Sequence, residues 1–377
     1  MNNHNFVHLI SSYTVEDSRW MKVAINYGLR NVGFTGKNPC VGCVIVKNNE
    51  LCGFGVTSPG GRPHAEENAL KFAGEKSKGS VLYVTLEPCA HYERFIPCME
   101  KIFKSSIKRV VIACLDPDKR TNGKAVKYLL ENNISVSIGC EEAKAKELIQ
   151  GFAKRLNFKR PYIKSKIASS LDSKISLSNG ISKWITGINA RKFIHLYRLR
   201  SDGILTGVNT VNEDNPTLNC RIKGLKKYSP HVFILDSKLK INIKSKILNR
   251  KNISIFTTVF LNKKKEKILK NKGINVILVK HNKKNQVLLK EVIKKLCEQK
   301  INNLFIEAGS DINSSLIKEN LIDEIILCRS GRIFGNDGRS IINNLNIKEI
   351  KNSKNFYFKD SFTLDEDIIE NWGLKPK

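Results

Sequence analysis

The first 140 residues alternate between short apolar runs and amphipathic stretches. Residues 17–31 place Trp20, Val23, Ala24 and Tyr27 at helical spacing, which forms one apolar stripe and predicts a helix. Further helical patterns cover residues 64–73 and 123–132 and begin near residue 97. Apolar runs of strand length cover residues 41–46, 51–56, 81–86, 109–115 and 134–138. Strands that alternate with helices predict a layered α/β domain.

A second series of the same kind follows Arg160-Pro161. Residues 141–158 have a helical pattern, and Pro161 disfavours helical backbone in the residue before it, so we expect a domain boundary there. The later apolar runs are residues 162–169, 203–206, 232–235, 253–256, 276–279, 304–306 and 324–327. The pattern predicts a flexible extension over residues 1–16, a first domain over 17–158 and a second over 161–377. Two domains also suit the length, because single cores stop growing near ~250–300 residues.

Composition adds a strong positive charge to this picture. The 377 residues include 65 Lys and Arg against 35 Asp and Glu, a formal net charge of +30, and most of the excess lies after residue 150. It sits in Lys- and Asn-rich stretches such as residues 263–265, without interleaved aromatic residues that would stack on bases. We interpret the excess as solvated surface and do not expect a nucleic-acid partner, although the charge keeps that alternative open.

The sequence also predicts the compartment. No run approaches the ~18 apolar residues of a membrane span, and residues 1–16 lack the basic start and apolar stretch of a signal peptide. The ten cysteines have no regular spacing, which fits a reducing environment. We therefore expect a cytoplasmic protein without a membrane partner.

One group of residues in the first domain has the chemistry of a catalytic metal site. His64 and Glu66 stand two apart, Cys89 follows a predicted strand, and Cys98 follows Pro97 at the expected start of a helix. One imidazole and two thiolates supply the three protein ligands of a catalytic zinc, and a helix N-terminus favours the thiolate form. Glu66 would then be the catalytic acid and base, carrying a proton from the attacking water to a leaving nitrogen.

This pattern resembles the zinc-dependent nucleobase deaminases, with their His-x-Glu and Pro-Cys motifs. The eight residues between the two cysteines form the longer spacer of the riboflavin-pathway deaminases, the RibD/RibG family, and residues 38–46, 83–89 and 116–117 also match. The resemblance implies a cytidine-deaminase-like three-layer α/β/α fold with one Zn²⁺. It also implies that the substrate is bound by Asn38, Arg94 and Asp116. Residues 93, 95, 96 and 118 depart from the usual family pattern.

The second domain lacks the Gly-x-Gly-x-x-Gly fingerprint of standard dinucleotide-binding folds. Three dense polar patches stand out instead, at residues 166–172, 182–186 and 198–221. From the residues alone they are either ligand-binding loops at strand ends or ordinary turns, and both interpretations stay open.

The same patches resemble the reductase domain of this family, which has a dihydrofolate-reductase-like α/β fold, so the resemblance extends over roughly residues 17–345. It implies an NADPH site that contains Ala168, Trp184, Thr210, Asp214 and Ser237. A strand-to-helix turn, whose backbone N–H groups suit phosphates, adds a stretch with the same role: Gly309, Ser310, Asp311, Ile312, Asn313, Ser314 and Ser315. The implied substrate contacts are Ser182, Arg198, Leu218, Arg221 and Glu307. Asp214 is also the candidate catalytic acid for hydride transfer.

The resemblance implies a bifunctional enzyme of riboflavin biosynthesis. Its first domain would deaminate 2,5-diamino-6-ribosylamino-4(3H)-pyrimidinone 5′-phosphate with zinc, and its second would reduce the ribosyl group of the product with NADPH. The family also implies a homo-oligomer. Two alternatives remain: a deaminase acting on tRNA with a basic accessory domain, and a partly decayed enzyme with one working domain.

Overall fold

The computed structural model describes residues 12–92, 95–258 and 263–375. It divides into two compact units, residues 1–159 and 160–377. Of the predicted extension, residues 1–11 lie outside the described residues, and the first helix begins at Val15. Thr14 and Asp17 explain that start, because each side chain accepts a hydrogen bond from the other residue's backbone N–H, as in a capping box.

The first unit contains five strands and five helices among its described residues. In chain order they are α1 (Val15–Leu29), β1 (Gly42–Lys47), β2 (Glu50–Val56), α2 (Ala65–Ala73), β3 (Val81–Val84), α3 (Cys98–Lys104), β4 (Arg109–Ile112), α4 (Lys124–Glu131), β5 (Ser135–Ile138) and α5 (Glu142–Phe158). The sheet has the order β2-β1-β3-β4-β5, in which β1 is antiparallel to both neighbours and β3, β4 and β5 are parallel. Asn48 and Asn49 both have positive φ and close the β1–β2 hairpin.

Two glycines show how helices cover both faces of this sheet. A Cβ on Gly42 would lie 1.9 Å from the carbonyl oxygen of Ala24 in α1, and a Cβ on Gly55 would lie 2.1 Å from that of Ala65 in α2. Gly55 pairs with the residue after Gly42, so the two glycines face opposite sides of the sheet. Helices α1 and α2 therefore pack on opposite faces, as a three-layer arrangement requires.

The second unit is built on a nine-stranded sheet. Its elements are β6 (Tyr162–Ser169), β7 (Lys174–Leu177), α6 (Ile188–Leu199), β8 (Gly203–Gly207), α7 (Val208–Asp214), β9 (His231–Leu235), β10 (Ile253–Thr257), α8 (Lys263–Asn271), β11 (Asn275–Leu278), α9 (Leu289–Glu298), β12 (Asn303–Ile306), α10 (Ser310–Lys318), β13 (Glu324–Arg329), β14 (Gly338–Ser340), β15 (Phe356–Leu364) and β16 (Asp367–Leu374). The sheet order is β11-β10-β9-β8-β12-β6-β13-β16-β15, while β7 and β14 form a separate pair.

The seven strands from β11 to β13 are parallel, and the C-terminal hairpin β15–β16 adds two antiparallel strands. The apolar runs of the sequence do not predict this hairpin. Strand β16 turns alternate residues inward, but two of these buried positions are polar, Asp367 and Asn371. Asp367 accepts a hydrogen bond from the N–H of Gly187 at the start of α6, and Asn371 pairs with the hydroxyl of Tyr197 in the same helix. A hydrophobicity pattern cannot detect a strand whose buried side is polar.

Three-residue and four-residue 3₁₀ segments connect some of these elements, at Pro59–Gly61, Gly74–Ser77, Lys226–Tyr228, Lys246–Asn249, Gly335–Asp337 and Ile350–Asn352. None of the helices in the described parts of the chain combines the length and the apolar composition needed to cross a bilayer.

Candidate active sites

In the first unit, the structure brings the three predicted metal ligands together. His64 immediately precedes α2, and Cys98 is the first residue of α3. The Nδ1 atom of His64 lies 3.3 Å from the Sγ of Cys98 and 3.6 Å from the Sγ of Cys89. All three ligand atoms lie within 4.8 Å of one another. Zinc bonds of about 2.0–2.3 Å in a tetrahedron separate such ligands by roughly 3.6 Å, so these residues fit the ion.

The protonation chemistry of Cys89 also suits a metal. The hydrogen bond from Cys98 holds the pKa of the Cys89 thiol well below its usual range and outweighs the opposing effect of burial, with further help from His64. The backbone N–H of Cys98 also donates to the Cys89 sulfur at 3.3 Å. Thiolates are the form of cysteine that binds metals.

Glu66 lies in the first turn of α2 with only 4% of its surface exposed. Burial raises the pKa of its carboxyl to about 7, and His64 opposes that rise. The close packing of α2 on β2 at Gly55 holds this turn of the helix against the sheet. A buried carboxyl beside the ligand group, able to exchange a proton near neutral pH, has the properties of a general acid and base.

Two acidic residues that the sequence analysis did not predict as site residues connect the segments that carry the metal ligands to neighbouring elements. The carboxylate of Glu67 forms a 2.6 Å ion pair with the ammonium group of Lys101, and this pair joins α2 to α3. Buried Glu87 accepts hydrogen bonds from the backbone N–H groups of Asp116, Gly123 and Ala125, which joins the Cys89 loop to the start of α4. The position of Glu87 in the Glu-Pro-Cys motif could have marked it as a site residue. Its structural role could not be predicted, because the three backbone groups that it binds are distant in sequence.

The predicted substrate residues of this unit have different surroundings. Asn38 packs against Gly61, three residues before His64, where a Cβ would meet its side-chain nitrogen at 1.8 Å. Asp116 is buried, accepts a hydrogen bond from the N–H of Asp118, and burial raises the pKa of its carboxyl to about 7. Arg94 lies outside the described residues. Phe95, one of the departures from the family pattern, lies under the guanidinium of Arg62 at 4.5 Å.

The second unit contains a cavity of about 780 Å³. Its wall includes the carboxyl ends of parallel strands, with Ala168 near the end of β6, Gly207 as the last residue of β8 and Glu307 directly after β12. Ligands of open α/β sheets bind at this edge. A Cβ on Gly207 would lie 2.7 Å from Ile312, so α10 approaches the end of β8 closely and its first turn forms part of the wall.

Most of the predicted reductase residues line this cavity. They are Ala168, Ser182, Trp184, Arg198, Thr210, Asp214, Leu218, Arg221, Ser237, Glu307, Gly309, Ser310, Asp311, Ile312 and Ser315. Asn313 and Ser314 do not line it. Buried Asn313 bonds with Ser165 and the carbonyl of Ala308, and the hydroxyl of Ser314 accepts from the N–H of Asn343. The reason is helical geometry, since a contiguous stretch of a helix cannot present every side chain to one wall.

Polar contacts fix several of these side chains. Arg198 forms two hydrogen bonds with Glu307, of 2.5 and 2.8 Å, and a third with the carbonyl of Asn219. Burial alone would raise the pKa of Glu307, but Arg198 holds it below its usual value. The hydroxyl of Ser182 donates to Asp214 at 3.0 Å.

Further wall residues were not predicted as site residues from the sequence. His195 and Arg191, both from α6, line the cavity, and Arg191 lies 4.1 Å from the ring of the exposed Trp184. Gln286 and Val287 come from a loop that contacts the hydroxyl of Ser237. No local motif marks these positions, because only the packing of distant segments brings them to the wall.

The two folds and their sites define a class of protein, a deaminase domain with a metal-binding group followed by a reductase domain with a cofactor-sized cavity. Known proteins have the same arrangement. Residues 14–114 match the family model described as the cytidine and deoxycytidylate deaminase zinc-binding region, and residues 161–369 match the RibD C-terminal domain.

Whole-length relatives and solved structures agree with these matches. The riboflavin biosynthesis protein RibD of Aquifex aeolicus is 40% identical over 354 residues, which cover 94% of this chain and 97% of the relative. That of Escherichia coli is 31% identical over 365 residues, with 94% and 98% covered. The structure of Acinetobacter baumannii RibD superposes with a TM-score of 0.86 at 35% identity, covering 96% of this chain and 99% of that one. A deaminase/reductase structure from Thermotoga maritima gives 0.85 at 29% identity, with the same coverage.

The chain therefore belongs to the RibD family and is a bifunctional deaminase/reductase of riboflavin biosynthesis. The family, the fold class and the enzymatic class predicted from the sequence are confirmed. The name of the Thermotoga maritima enzyme gives a phosphoribosylaminopyrimidine and a phosphoribosylaminouracil as the compounds on which that enzyme acts. A zinc-binding deaminase domain and a reductase domain imply zinc and a nicotinamide cofactor.

Proposed function

We propose that the first unit deaminates 2,5-diamino-6-ribosylamino-4(3H)-pyrimidinone 5′-phosphate, and that the second reduces the product, 5-amino-6-(5-phosphoribosylamino)uracil, with NADPH. The observation that carries this proposal is the presence of both sites in one chain, in the order in which the reactions would run. The Thermotoga maritima relative bears the names of both activities in its title, a diaminohydroxyphosphoribosylaminopyrimidine deaminase and a 5-amino-6-(5-phosphoribosylamino)uracil reductase.

In the proposed deamination, His64, Cys89 and Cys98 would hold zinc. When bound, zinc supplies a Lewis acid that makes water a nucleophile near neutral pH. Glu66 takes a proton from the attacking water and delivers it to the exocyclic nitrogen, so that the C–N bond breaks and ammonia leaves as the ring carbonyl forms. The burial of Glu66 supports this role, because it places the proton-accepting pKa of the carboxyl near 7. Asn38, Asp116 and Arg94 would bind the pyrimidine and its ribosyl phosphate.

In the proposed reduction, the cofactor would lie along Ala168, Trp184, Thr210, Ser237 and the first turn of α10. When bound, NADPH supplies the hydride that reduces the anomeric carbon of the ring-opened imine. The N–H groups at the start of α10 suit the negative charge of the cofactor phosphates. Asp214, which lines the cavity and accepts from Ser182, would supply the proton that balances hydride transfer.

The substrate of this second step would contact Ser182, Arg198, Leu218, Arg221 and Glu307. All five line the same cavity as the proposed cofactor residues, which supports a single site for both molecules. A volume of about 780 Å³ is within the range of small-molecule pockets, which is about 300–1,000 Å³. A homo-oligomeric state and a cytoplasmic location belong to the same proposal and stay predictions.

The decisive experiment is NADPH oxidation by the purified, zinc-loaded protein, started with the diamino substrate. Consumption of NADPH is expected, because both sites must then work in the proposed order. If none occurs, the deaminated intermediate is added to the same cuvette. A signal at that point would reject the deamination step and leave the reduction intact. Continued absence of oxidation would reject the reductase proposal.

A further inference from the structure

The two arginines of the reductase cavity are in different chemical situations. Arg198 is 11% exposed in its side chain and uses Nε and Nη2 for Glu307 and Nη1 for the carbonyl of Asn219. Its charge is matched by the carboxylate, and each of its nitrogens has a protein acceptor. Arg198 therefore has little capacity left for an anionic ligand.

Arg221 is exposed and lines the same cavity. Its Nε lies 3.2 Å from the Nε2 of His195. Within the described residues, its two terminal nitrogens have no protein partner. The end of the guanidinium, with its two parallel N–H bonds, is therefore the edge that remains available for bidentate binding of a phosphate.

His195 contacts Arg221 twice, since its Nδ1 also lies 3.3 Å from the backbone nitrogen of Arg221. Both contacts bring an N–H donor to a ring nitrogen. A neutral imidazole has a free lone pair on only one ring nitrogen, so it accepts one of these bonds at a time, and the tautomer protonated on Nδ1 accepts the bond from Nε of Arg221. Burial, together with the positive charges of Arg198 and Arg221, lowers the pKa of His195 to about 4, so the ring is neutral at pH 7. The histidine is 6% exposed, which keeps water from competing for the contact.

The position of His195 is itself fixed. It lies in α6, three residues before Arg198, whose pairing with Glu307 ties the helix to the end of β12. The N-terminus of the same helix is tied to β16 by the bond from Gly187 to Asp367. A side chain held in this way can restrict Arg221, which otherwise loses the rotamer freedom of a long, flexible side chain on binding.

We propose that His195 is a positioning residue of the reductase, which accepts a hydrogen bond from Arg221 and thereby orients the guanidinium toward the phosphate of the substrate. The inference rests on the proposed function, because the phosphate is that of the proposed substrate. His195 itself touches neither the reacting carbon nor the phosphate in this assignment.

The test uses the full-length, zinc-loaded protein and two readouts. The first is binding of ribose 5-phosphate, which carries the sugar and phosphate alone and requires no turnover. The second is the steady-state reduction of the deaminated intermediate. The variants are His195→Leu, His195→Gln and His195→Asn, each made with Arg221 intact and in an Arg221→Ala background.

Gln and Asn form a matched pair at this position. The longer glutamine side chain can place an acceptor near the position of Nε2, whereas asparagine reaches only the position of Nδ1. The control is His231→Leu, which removes another histidine of the same unit whose pKa burial lowers to about 4, but which does not line the cavity.

We expect His195→Leu to raise the Kd for ribose 5-phosphate and the KM for the intermediate about tenfold, with kcat and the KM for NADPH within about threefold. His195→Gln should recover most of the loss, and His195→Asn should not. In the Arg221→Ala background, the His195 substitutions should add no further loss.

Other results would overturn the inference. An unchanged Kd in His195→Leu, or an equal further loss after removal of Arg221, would show that His195 does not act through Arg221. Absence of ribose 5-phosphate binding by the unsubstituted protein would remove Arg221 as the phosphate ligand. If the unsubstituted protein binds ribose 5-phosphate but never oxidises NADPH, the proposed function fails while the binding series still decides the role of His195.

Discussion

The two sites of this protein differ in how their chemistry is distributed. In the first unit, three ligand atoms lie within 4.8 Å of one another, and a buried acid two residues from one of them completes the group. In the second, residues from position 166 to position 339 line one cavity of about 780 Å³. The first arrangement concentrates the reaction in a few atoms, whereas the second spreads binding over many modest contacts. A single substitution should therefore have very different effects in the two units.

The largest expected effect tests the concentrated site. Glu66→Gln should keep the shape of the side chain and remove the proton acceptor, so deamination should fall by on the order of 10²–10⁴-fold. Zinc content and reduction of the deaminated intermediate should be retained in the same preparation. Glu67→Gln, one residue along the helix, should lose far less, because Glu67 bonds to Lys101 and to the backbone N–H of His64 but not to the three ligand side chains. Near-normal deamination by Glu66→Gln would exclude Glu66 as the proton carrier.

The next effect concerns a concentrated feature of the reductase cavity, the largely buried ion pair between Arg198 and Glu307. Arg198→Met leaves Glu307 charged and without its partner, which should cost about 3–5 kcal/mol of unfolding free energy in the second unit. Adding Glu307→Gln should recover part of that loss. Denaturant unfolding followed by hydrogen exchange in each unit would measure both changes. Equal stability of the single and double variants would contradict this account of the pair.

A third prediction concerns the stability of the first unit in acid. Burial would raise the pKa of Asp17, but hydrogen bonds from Arg109, Thr14 and Tyr83 outweigh it and hold the pKa below its usual value. The carboxylate therefore stabilises the fold above its unfolded pKa of about 3.9, and this contribution is lost as the pH falls through the lower folded value. Asp17→Asn should cost about 1.5–3 kcal/mol at pH 7 and flatten the decline in stability below pH 4.

Hydrogen exchange in the first unit at several pH values would measure this change. Glu131→Gln is the matched control, because its exposed 3.8 Å pair with Lys127 should contribute less than about 1 kcal/mol. An acid-induced decline of unchanged slope in Asp17→Asn would assign the pH dependence to other carboxyls.

The smallest expected effect tests the distributed site. The hydroxyl of Ser237 accepts a hydrogen bond from the N–H of Val287, and both residues line the cavity. Ser237→Ala should raise the KM for NADPH by no more than about tenfold, since one neutral hydrogen bond contributes about 0.5–1.5 kcal/mol. Ser201→Ala, which loses a hydroxyl bond to Tyr197 outside the cavity, should leave that KM unchanged. A loss of a hundredfold or more would show that the cofactor site is as concentrated as the metal site.

Much of this organisation was available from the sequence. The alternation of apolar runs predicted the strands β1 to β6 and β8 to β13, and β6 has the predicted bounds, Tyr162–Ser169. The spacing of His64, Cys89 and Cys98 predicted a metal group because ligand chemistry demands particular residue types, and those types are uncommon together. Residue type and spacing are properties of the sequence itself, so they can be recognised without knowledge of the fold.

Other features depended on tertiary structure. The sequence did not predict the hairpin β15–β16, because Asp367 and Asn371 are buried through polar contacts with other segments. Nor did it separate Asn313 and Ser314 from the wall residues of α10, because the side of a helix that faces a cavity is set by what packs against it.

The clearest difference lies between identifying a residue and knowing its state. The sequence alone determined that two arginines, Arg198 and Arg221, stand in one polar patch of the second unit. Only the folded chain pairs Arg198 with Glu307 and places His195 against Arg221. These partners lie 109 and 26 residues away along the chain. The local sequence shows which side chain stands at a position. Whether its charge is free to bind a ligand depends on contacts that form only when distant segments of the chain pack together.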